Sequence, residues 1–170
     1  MKMITQAELH RLITYDPFTG EMLYRVRAGS RKPGSTVGCA TKRGYRRVVI
    51  AGILYSAQDL AWLYMTGKWP TGIVDHRDCN PSNFAWRNLR QASYSQNNQN
   101  RSLGKNNTSG IKGVSFFKPT NKWRATVEVN GRRVYLGHFV SREAAAATVK
   151  SARESLCGEF TNHGDGQPCH

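Results

Sequence analysis

The chain has 170 residues, of which 25 are Lys or Arg and 11 are Asp or Glu, giving a formal net charge of +14. A chain of this length holds one ordinary domain or two or three small modules, none with a large core of its own. The positive surplus selects a polyanion as partner, nucleic acid first and an anionic membrane surface second. The longest apolar stretches break at Gly, Asp or Arg within about ten residues, too soon for a membrane span. Lys2, Thr5, Gln6 and Glu8 stand where a secretory signal needs an apolar run. A cytoplasmic protein with no membrane partner is expected. Cys39, Cys79, Cys157 and Cys169 are too scattered for paired Cys-x-x-Cys zinc knuckles and read as reduced thiols.

In chain order, Thr5-Gln-Ala-Glu8 has the form of a capping box and opens a short amphipathic helix carrying Leu9, Leu12 and Ile13. Tyr15-Asp-Pro-Phe-Thr-Gly20 reads as a turn. Strand-like runs at 21–26 and 45–50, the turn Ala51-Gly52 and a third run at 53–55 predict a small antiparallel meander. Between the strands runs a basic series: Arg25, Arg27, Arg31, Lys32, Lys42, Arg43, Arg46 and Arg47, punctuated by glycines. It is either a solvated loop or an arm that tracks phosphates, with Arg46 and Arg47 as DNA contacts.

Ser56, with Asp59 three positions on, starts a second helix whose Leu60, Leu63 and Tyr64 share a face and whose stop is Gly67; Trp62 and Trp69 pack beside it. Residues 73–75 read as a strand that delivers His76 to the turn-rich loop Arg77-Asp-Cys-Asn-Pro-Ser-Asn83. A partner strand over 89–93 and a helix capped by Ser95 and running through Arg101 complete a strand, loop, strand, helix order.

Asp75-His76, Asn88 and Asn97 are the chemically informative residues, four side chains able to hold one divalent metal and one activated water. With the loop Asn80-Pro-Ser-Asn83 and Asn88-Leu-Arg90 they resemble the His-Asn-His (HNH) nuclease motif, in the variant whose last histidine is an asparagine. That variant is similar to the free-standing HNH homing endonucleases of bacteriophages. Tyr15-Asp-Pro-Phe-Thr-Gly20 and Leu60-Ala-Trp-Leu-Tyr-Met-Thr-Gly-Lys-Trp-Pro70 resemble the segments that precede the motif there, so the likeness covers most of residues 1–101. The resemblance implies a ββα-metal (His-Me finger) fold. It also implies that His76 is the general base, a task suited to an imidazole of ordinary pKa about 6.5. Asp75 and the Asn97 side-chain carbonyl become metal ligands, hard oxygens that favour Mg²⁺ or Mn²⁺ over Zn²⁺. Asn88 braces the loop and supports His76 without bonding to the metal. The chain departs from the family pattern at Gln58-Asp59, where relatives carry His-Arg, and at Asn83-Phe84-Ala85, where they carry Asn-Asn-Arg.

Residues 102–109 are polar and turn-rich and read as a linker. Three strand signals follow, at 111–117, 123–129 and 134–139, joined by Lys118-Pro-Thr-Asn121 and by an Asn130-Gly131 hairpin turn. Ser141 caps an alanine-rich helix to about Leu156, and Gly158 stops it. Alternation places Trp123, Ala125, Val127 and Val129 on one face, and Arg124, Arg133 and Tyr135 together on the other, suited to the DNA major groove. Lys112-Gly-Val114, Trp123, Leu136-Gly137, Phe139, Glu143-Ala-Ala145 and Gly158 resemble the Apetala-type, or ethylene-response-factor (ERF), DNA-binding domain over residues 109–162. By that likeness Lys112 and Arg133 occupy Arg contact positions and Tyr135 an aromatic one. Ser115, Phe117 and Val149-Lys150 differ from the plant pattern, so the plant target does not transfer.

The expected fold is α+β: small N-terminal antiparallel strands with helices leading into the HNH motif, then a three-stranded antiparallel sheet packed on one helix. The expected division is a basic β-rich region (1–55), the nuclease domain (56–101), the linker (102–109), the ERF-type domain (110–162) and a tail (163–170). The expected function is a metal-dependent endonuclease on double-stranded DNA, as a monomer or a homodimer. A DNA-binding regulator with an inactive nuclease domain is the alternative; a basic packaging protein explains the charge but not the Asp75 to Asn97 spacing.

Overall fold

A computed structural model describes residues 3–100, 103, 104 and 106–164 of the chain. Arg101 and Cys169, named above, lie outside the described residues. The chain divides into two compact units, Met1–His76 with Asn80–Gln91, and Arg77–Cys79 with Ala92–His170.

The first unit opens with helix α1 (Gln6–Leu12), whose Thr5 and Glu8 form the reciprocal capping box. Ile13 ends the helix rather than extending it: its backbone is extended and it begins strand β1 (Ile13–Tyr15). β1 pairs antiparallel with β2 (Met22–Tyr24), Ile13 opposite Tyr24 and Tyr15 opposite Met22, and all four side chains are buried. The run at 21–26 therefore joins β1 and not the meander, because the short turn at 16–20 brings its nearest neighbour back at little loop-closure entropy. The second sheet is β3 (Cys39–Ala40), β4 (Arg46–Ile50) and β5 (Ile53–Ser56), in that order. Ala51 and Gly52, both at positive φ, make the tight hairpin that links β4 to β5.

Helix α2 (Ala57–Thr66) stops at Gly67, left-handed with its N–H donating to the Leu63 carbonyl. The Ser56 hydroxyl gives its hydrogen bond to the Asp59 carboxylate and caps no backbone N–H. Leu9, Ile13, Met22, Val37, Val48, Leu60 and Leu63 form the closed centre of this unit, and Trp62 and Trp69 pack half-buried against it. Strands β6 (Ile73–His76) and β7 (Leu89–Ala92) pair beside this core.

The second unit carries α3 (Tyr94–Asn100). Its cap is Ser93 and not Ser95: Ser93 Oγ accepts from Gln96 N at 3.2 Å, and Gln96 Oε1 accepts from Ser93 N at 2.8 Å. Both members of that reciprocal pair are satisfied only in this register. β8 (Val114–Phe117), β9 (Lys122–Val129) and β10 (Arg132–Phe139) form an antiparallel sheet in the order β10-β9-β8. β8 starts at Val114 rather than Ile111, because residues before it are held in a turn. The buried Ser109 hydroxyl donates to Val114 O at 2.7 Å and accepts from Ile111 N at 3.1 Å. Asn130 and Gly131 both take positive φ at the β9–β10 turn. Helix α4 (Arg142–Cys157), capped by Ser141 Oγ on Ala144 N, lays Ala145 and Val149 on Val114 and Ala125. No helix among the described residues is long and apolar enough to cross a membrane.

Candidate active site

Strand β6 ends on Val74, Asp75 and His76, all buried. Successive strand residues face opposite ways, so Asp75 and His76 leave the strand end on two sides. On one side Arg90 of β7 places Nε 3.1 Å from Asp75 Oδ2, with the two side chains only 5% and 8% exposed. A carboxylate this deep needs a counter-charge, and Arg90 supplies it. The motif alone gives Arg90 no role; its place two residues from Asn88 on a strand is the available signal.

On the other side the His76 ring lies edge-to-face against Phe84, with centroids 5.6 Å apart at 71°, and against Tyr45 at 6.1 Å and 68°. Both are favourable aromatic geometries. Arg46 Cζ stands 5.4 Å from the Phe84 ring centre, so β4 brings Tyr45 and Arg46 to the surroundings of His76. Arg47, one residue on, faces away and is exposed. Phe84, a departure from the family pattern, is therefore a buried wall of the imidazole. Neither Phe84 nor Tyr45 was expected at this site, since ring contacts across 8 and 31 positions leave no local pattern.

The loop between His76 and β7 is fixed by a chain of amides. Asn88, at the end of a single 3₁₀ turn (Trp86–Asn88), donates Nδ2–H to Asn83 O at 2.9 Å. Asn83 N donates to Asn80 O, and Ser82 Oγ to Gly44 O at 3.1 Å. The Tyr15–Gly20 turn is the seat of this loop. Tyr15 OH donates to Phe84 O at 2.7 Å and Trp86 N to Pro17 O at 2.8 Å. Burial, reinforced by the Asp16 carboxylate, pushes the Tyr15 phenol well above its ordinary range, so it stays a donor. Gly20, at φ +77°, approaches so closely that a Cβ there would lie 2.3 Å from the Phe84 carbonyl carbon.

Asn97 lies on α3 in the second unit, half-buried, with its N–H on Ser93 O at 2.9 Å. Gln58 and Asp59 sit in the first turn of α2. Burial raises the Asp59 carboxyl above its usual range, against the opposing Ser56 hydrogen bond, and Gln58 Oε1 is buried without a hydrogen-bond partner among the described residues.

In the second unit, cross-strand pairing sets Arg124 opposite His138, Thr126 opposite Tyr135 and Glu128 opposite Arg133. Arg124, Arg133 and Tyr135 thus share the face turned from α4. A β-bulge between Tyr135 and Gly137 shifts the alternation by one residue and turns His138 to that face as well. His138 stacks on Phe117 at 4.9 Å and 12°, Tyr135 meets its edge at 5.4 Å, and Arg124 Cζ is 5.6 Å from the Phe117 ring centre. Plain alternation from Arg133 and Tyr135 would turn His138 inward, and only the bulge brings it to this face. Lys112 does not share that face: its ammonium donates to Gln99 O at 2.6 Å and Asn162 O at 3.3 Å.

Residues 55–99 match a protein-family model described as HNH endonuclease, a segment that contains Asp75, His76, Asn88 and Asn97. The chain is 38% identical over 102 residues to Protein 3.8 of Escherichia phage T7, covering 58% of this chain and 82% of that protein. It is 32% identical over 120 residues to an uncharacterized HNH endonuclease of Acanthamoeba polyphaga mimivirus, covering 70% of this chain and 62% of that relative.

Proposed function

The chain belongs to the HNH endonuclease family, and from that premise we propose that it hydrolyses phosphodiester bonds of double-stranded DNA with His76 as general base. The observation that carries the reading is the buried imidazole at the end of β6, walled by Phe84 and Tyr45 beside a carboxylate neutralised by Arg90. His76 takes a proton from the attacking water while the water oxygen bonds to phosphorus and the bond to the leaving sugar oxygen breaks. The two rings fix the plane of the imidazole, so that little reorganisation accompanies proton transfer. Asn88 acts as a positioning residue through its hold on the loop. Arg46, beside Phe84, offers a charge to the phosphate flanking the cut.

The donor set suits a hard divalent ion: the Asp75 carboxylate and, by its place in the motif, the Asn97 side-chain carbonyl would hold Mg²⁺ or Mn²⁺. When bound, such an ion would supply Lewis-acid polarisation of the scissile phosphate and charge stabilisation at the leaving oxygen. With Asp75 paired to Arg90, the protein contributes little net negative charge there, and tight holding of the ion depends on the phosphates of bound DNA.

The ERF-like residues 109–162 supply the DNA-reading surface in this proposal, through Arg124, Tyr135, Arg133 and the adjoining Phe117 and His138. Lys112 is left out of it. A homing-type endonuclease of a phage acting on DNA in the host cytoplasm fits both modules. The test is cleavage of supercoiled plasmid by the wild type and by His76→Ala, with Mg²⁺ and with chelator. Nicking or linearisation by the wild type with metal alone, and retained DNA retardation without cleavage by His76→Ala, are expected. Equal cleavage by His76→Ala refutes the assignment. Nicks alone would indicate a monomer, concerted double-strand cuts a homodimer.

A further inference from the structure

The second unit contains a cleft of about 330 Å³ that the cleavage reaction does not use. Among the described residues its charged lining is Lys112, Arg133 and Arg153 against one carboxylate, Glu128. Arg153, on α4, is 7% exposed. Its Nη1 donates to Asn162 O at 2.6 Å, and its Nε has no hydrogen-bond partner among the described residues. No ion pair among the described residues joins it to a carboxylate. Burial pulls its guanidinium below the ordinary arginine range, against a smaller opposing effect of Cys157, the direction expected of a cation removed from water. Lys112 donates to the same carbonyl, Asn162 O, at 3.3 Å. One backbone oxygen therefore gathers two cations at the wall of one cleft.

Arg153, held out of water in a concave place with a second cation nearby, is poorly hydrated and repelled by its neighbour. A ligand that brings negative charge and several acceptor oxygens relieves both penalties. We infer that this cleft is a phosphate-binding site, taking either a backbone phosphate of DNA or the phosphate of a free nucleotide. The guanidinium fork of Arg153 and the ammonium of Lys112 match a tetrahedral oxyanion. Arg133, exposed at the rim and unpaired with its cross-strand neighbour Glu128 among the described residues, supplies a third cation. Asn98 on α3 adds an amide donor, and the volume leaves room for a sugar beside the phosphate. The inference does not depend on the nuclease reading, since binding is measured without metal or cleavage.

Cys157 lines the same cleft and reports on it, whereas Cys39 is exposed outside it. The full-length protein in chelator is alkylated with a maleimide, and each cysteine is followed by peptide mass spectrometry in the presence of inorganic phosphate, thymidine 5′-monophosphate or a short DNA duplex. Slower alkylation of Cys157 but not Cys39 is expected. Protection by phosphate and the nucleotide identifies a free anion as ligand, and protection by the duplex alone identifies a backbone phosphate. Arg153→Gln removes a charge-assisted contact and should weaken the effect about tenfold. Because Arg153 is buried and its replacement can disturb folding, the exposed Glu128→Gln is the second variant: loss of the only carboxylate among the described lining residues should tighten binding about threefold. Protection by none of the three, or unchanged affinity in Glu128→Gln, overturns the inference.

Discussion

Arg90→Leu is the sharpest probe of the proposed site. The substitution keeps an aliphatic side chain at a position 5% exposed and deletes the guanidinium 3.1 Å from Asp75. Removing one partner of a buried pair takes the opposing charge away from a group held out of water, a loss of about 3–5 kcal/mol, which is a large fraction of the roughly 5–15 kcal/mol that holds a domain together. Asp75→Asn alone removes the carboxylate that faces the arginine and should cost a comparable amount, while the double variant leaves neither charge and should be far more stable than the two losses added. Urea unfolding followed by tryptophan fluorescence reads this directly, because Trp62, Trp69 and Trp86 belong to the first unit. If Asp75 is also a metal ligand, Mg²⁺ takes over part of the guanidinium's task, and it should raise the midpoint of Arg90→Leu more than that of the wild type. Stability of Arg90→Leu within about 1 kcal/mol of the wild type, or simple additivity in the double variant, would refute the argument.

Four further outcomes follow from the same geometry. Gly20→Ala forces a Cβ to 2.3 Å from the Phe84 carbonyl carbon at φ +77°, so a loss of about 1–3 kcal/mol and impaired cleavage are expected in denaturation and plasmid assays. The Asp59 carboxyl is raised by burial, so the stability it contributes is present below the unfolded carboxylate pKa and lost as pH rises through the folded one. Asp59→Asn should therefore raise the melting temperature at neutral pH, and the gain should shrink toward zero as the pH is lowered to about 4. Tyr45 is 44% exposed; Tyr45→Ala should leave stability within about 0.5 kcal/mol while lowering the cleavage rate, and an unchanged rate would remove Tyr45 from the site. Arg124→Ala should weaken or relax site choice by about 1–3 kcal/mol if the side chain meets a base edge, scored by selection from randomised duplexes; an unaltered preference would show that it meets only solvent.

Features set by adjacent residues were legible in the sequence. The Thr5 capping box, the Gly67 stop, the Ala51-Gly52 and Asn130-Gly131 hairpins and the Ser141 cap each depend on a few neighbouring backbone angles, and each stands where the residues indicate. Pairing and phase were less legible. Ile13 satisfies a helical pattern and a strand pattern equally, and only the return of Met22–Tyr24 beside it decides for the strand. Ser93 and Ser95 are both good caps, and Gln96 is what selects Ser93. A bulge leaves no mark in an alternating sequence, so the outward turn of His138 had no signal beyond Gly137 itself.

The proposed catalytic residues show the same division at finer scale. Asp75, His76 and Asn88 announce themselves as a motif, because their chemistry is tied to their spacing. What holds them in place comes from far along the chain: Tyr15, Pro17 and Gly20 beneath the loop, Gly44 and Tyr45 at its side, Arg90 across the strand pair. This distribution bears on the departures from the family pattern. Phe84 stands where the resemblance implies a polar residue, and it fills a wall against His76 that an amide would leave wetter and less rigid. Gln58 and Asp59 lie in the first turn of α2, and Asp59 is bonded to Ser56 on its own helix end. Phe84 thus packs the wall of the proposed general base, and Gln58 and Asp59 act through the stability of the unit, so damage on α2 should show itself first as a lower melting temperature and only then as lost cleavage.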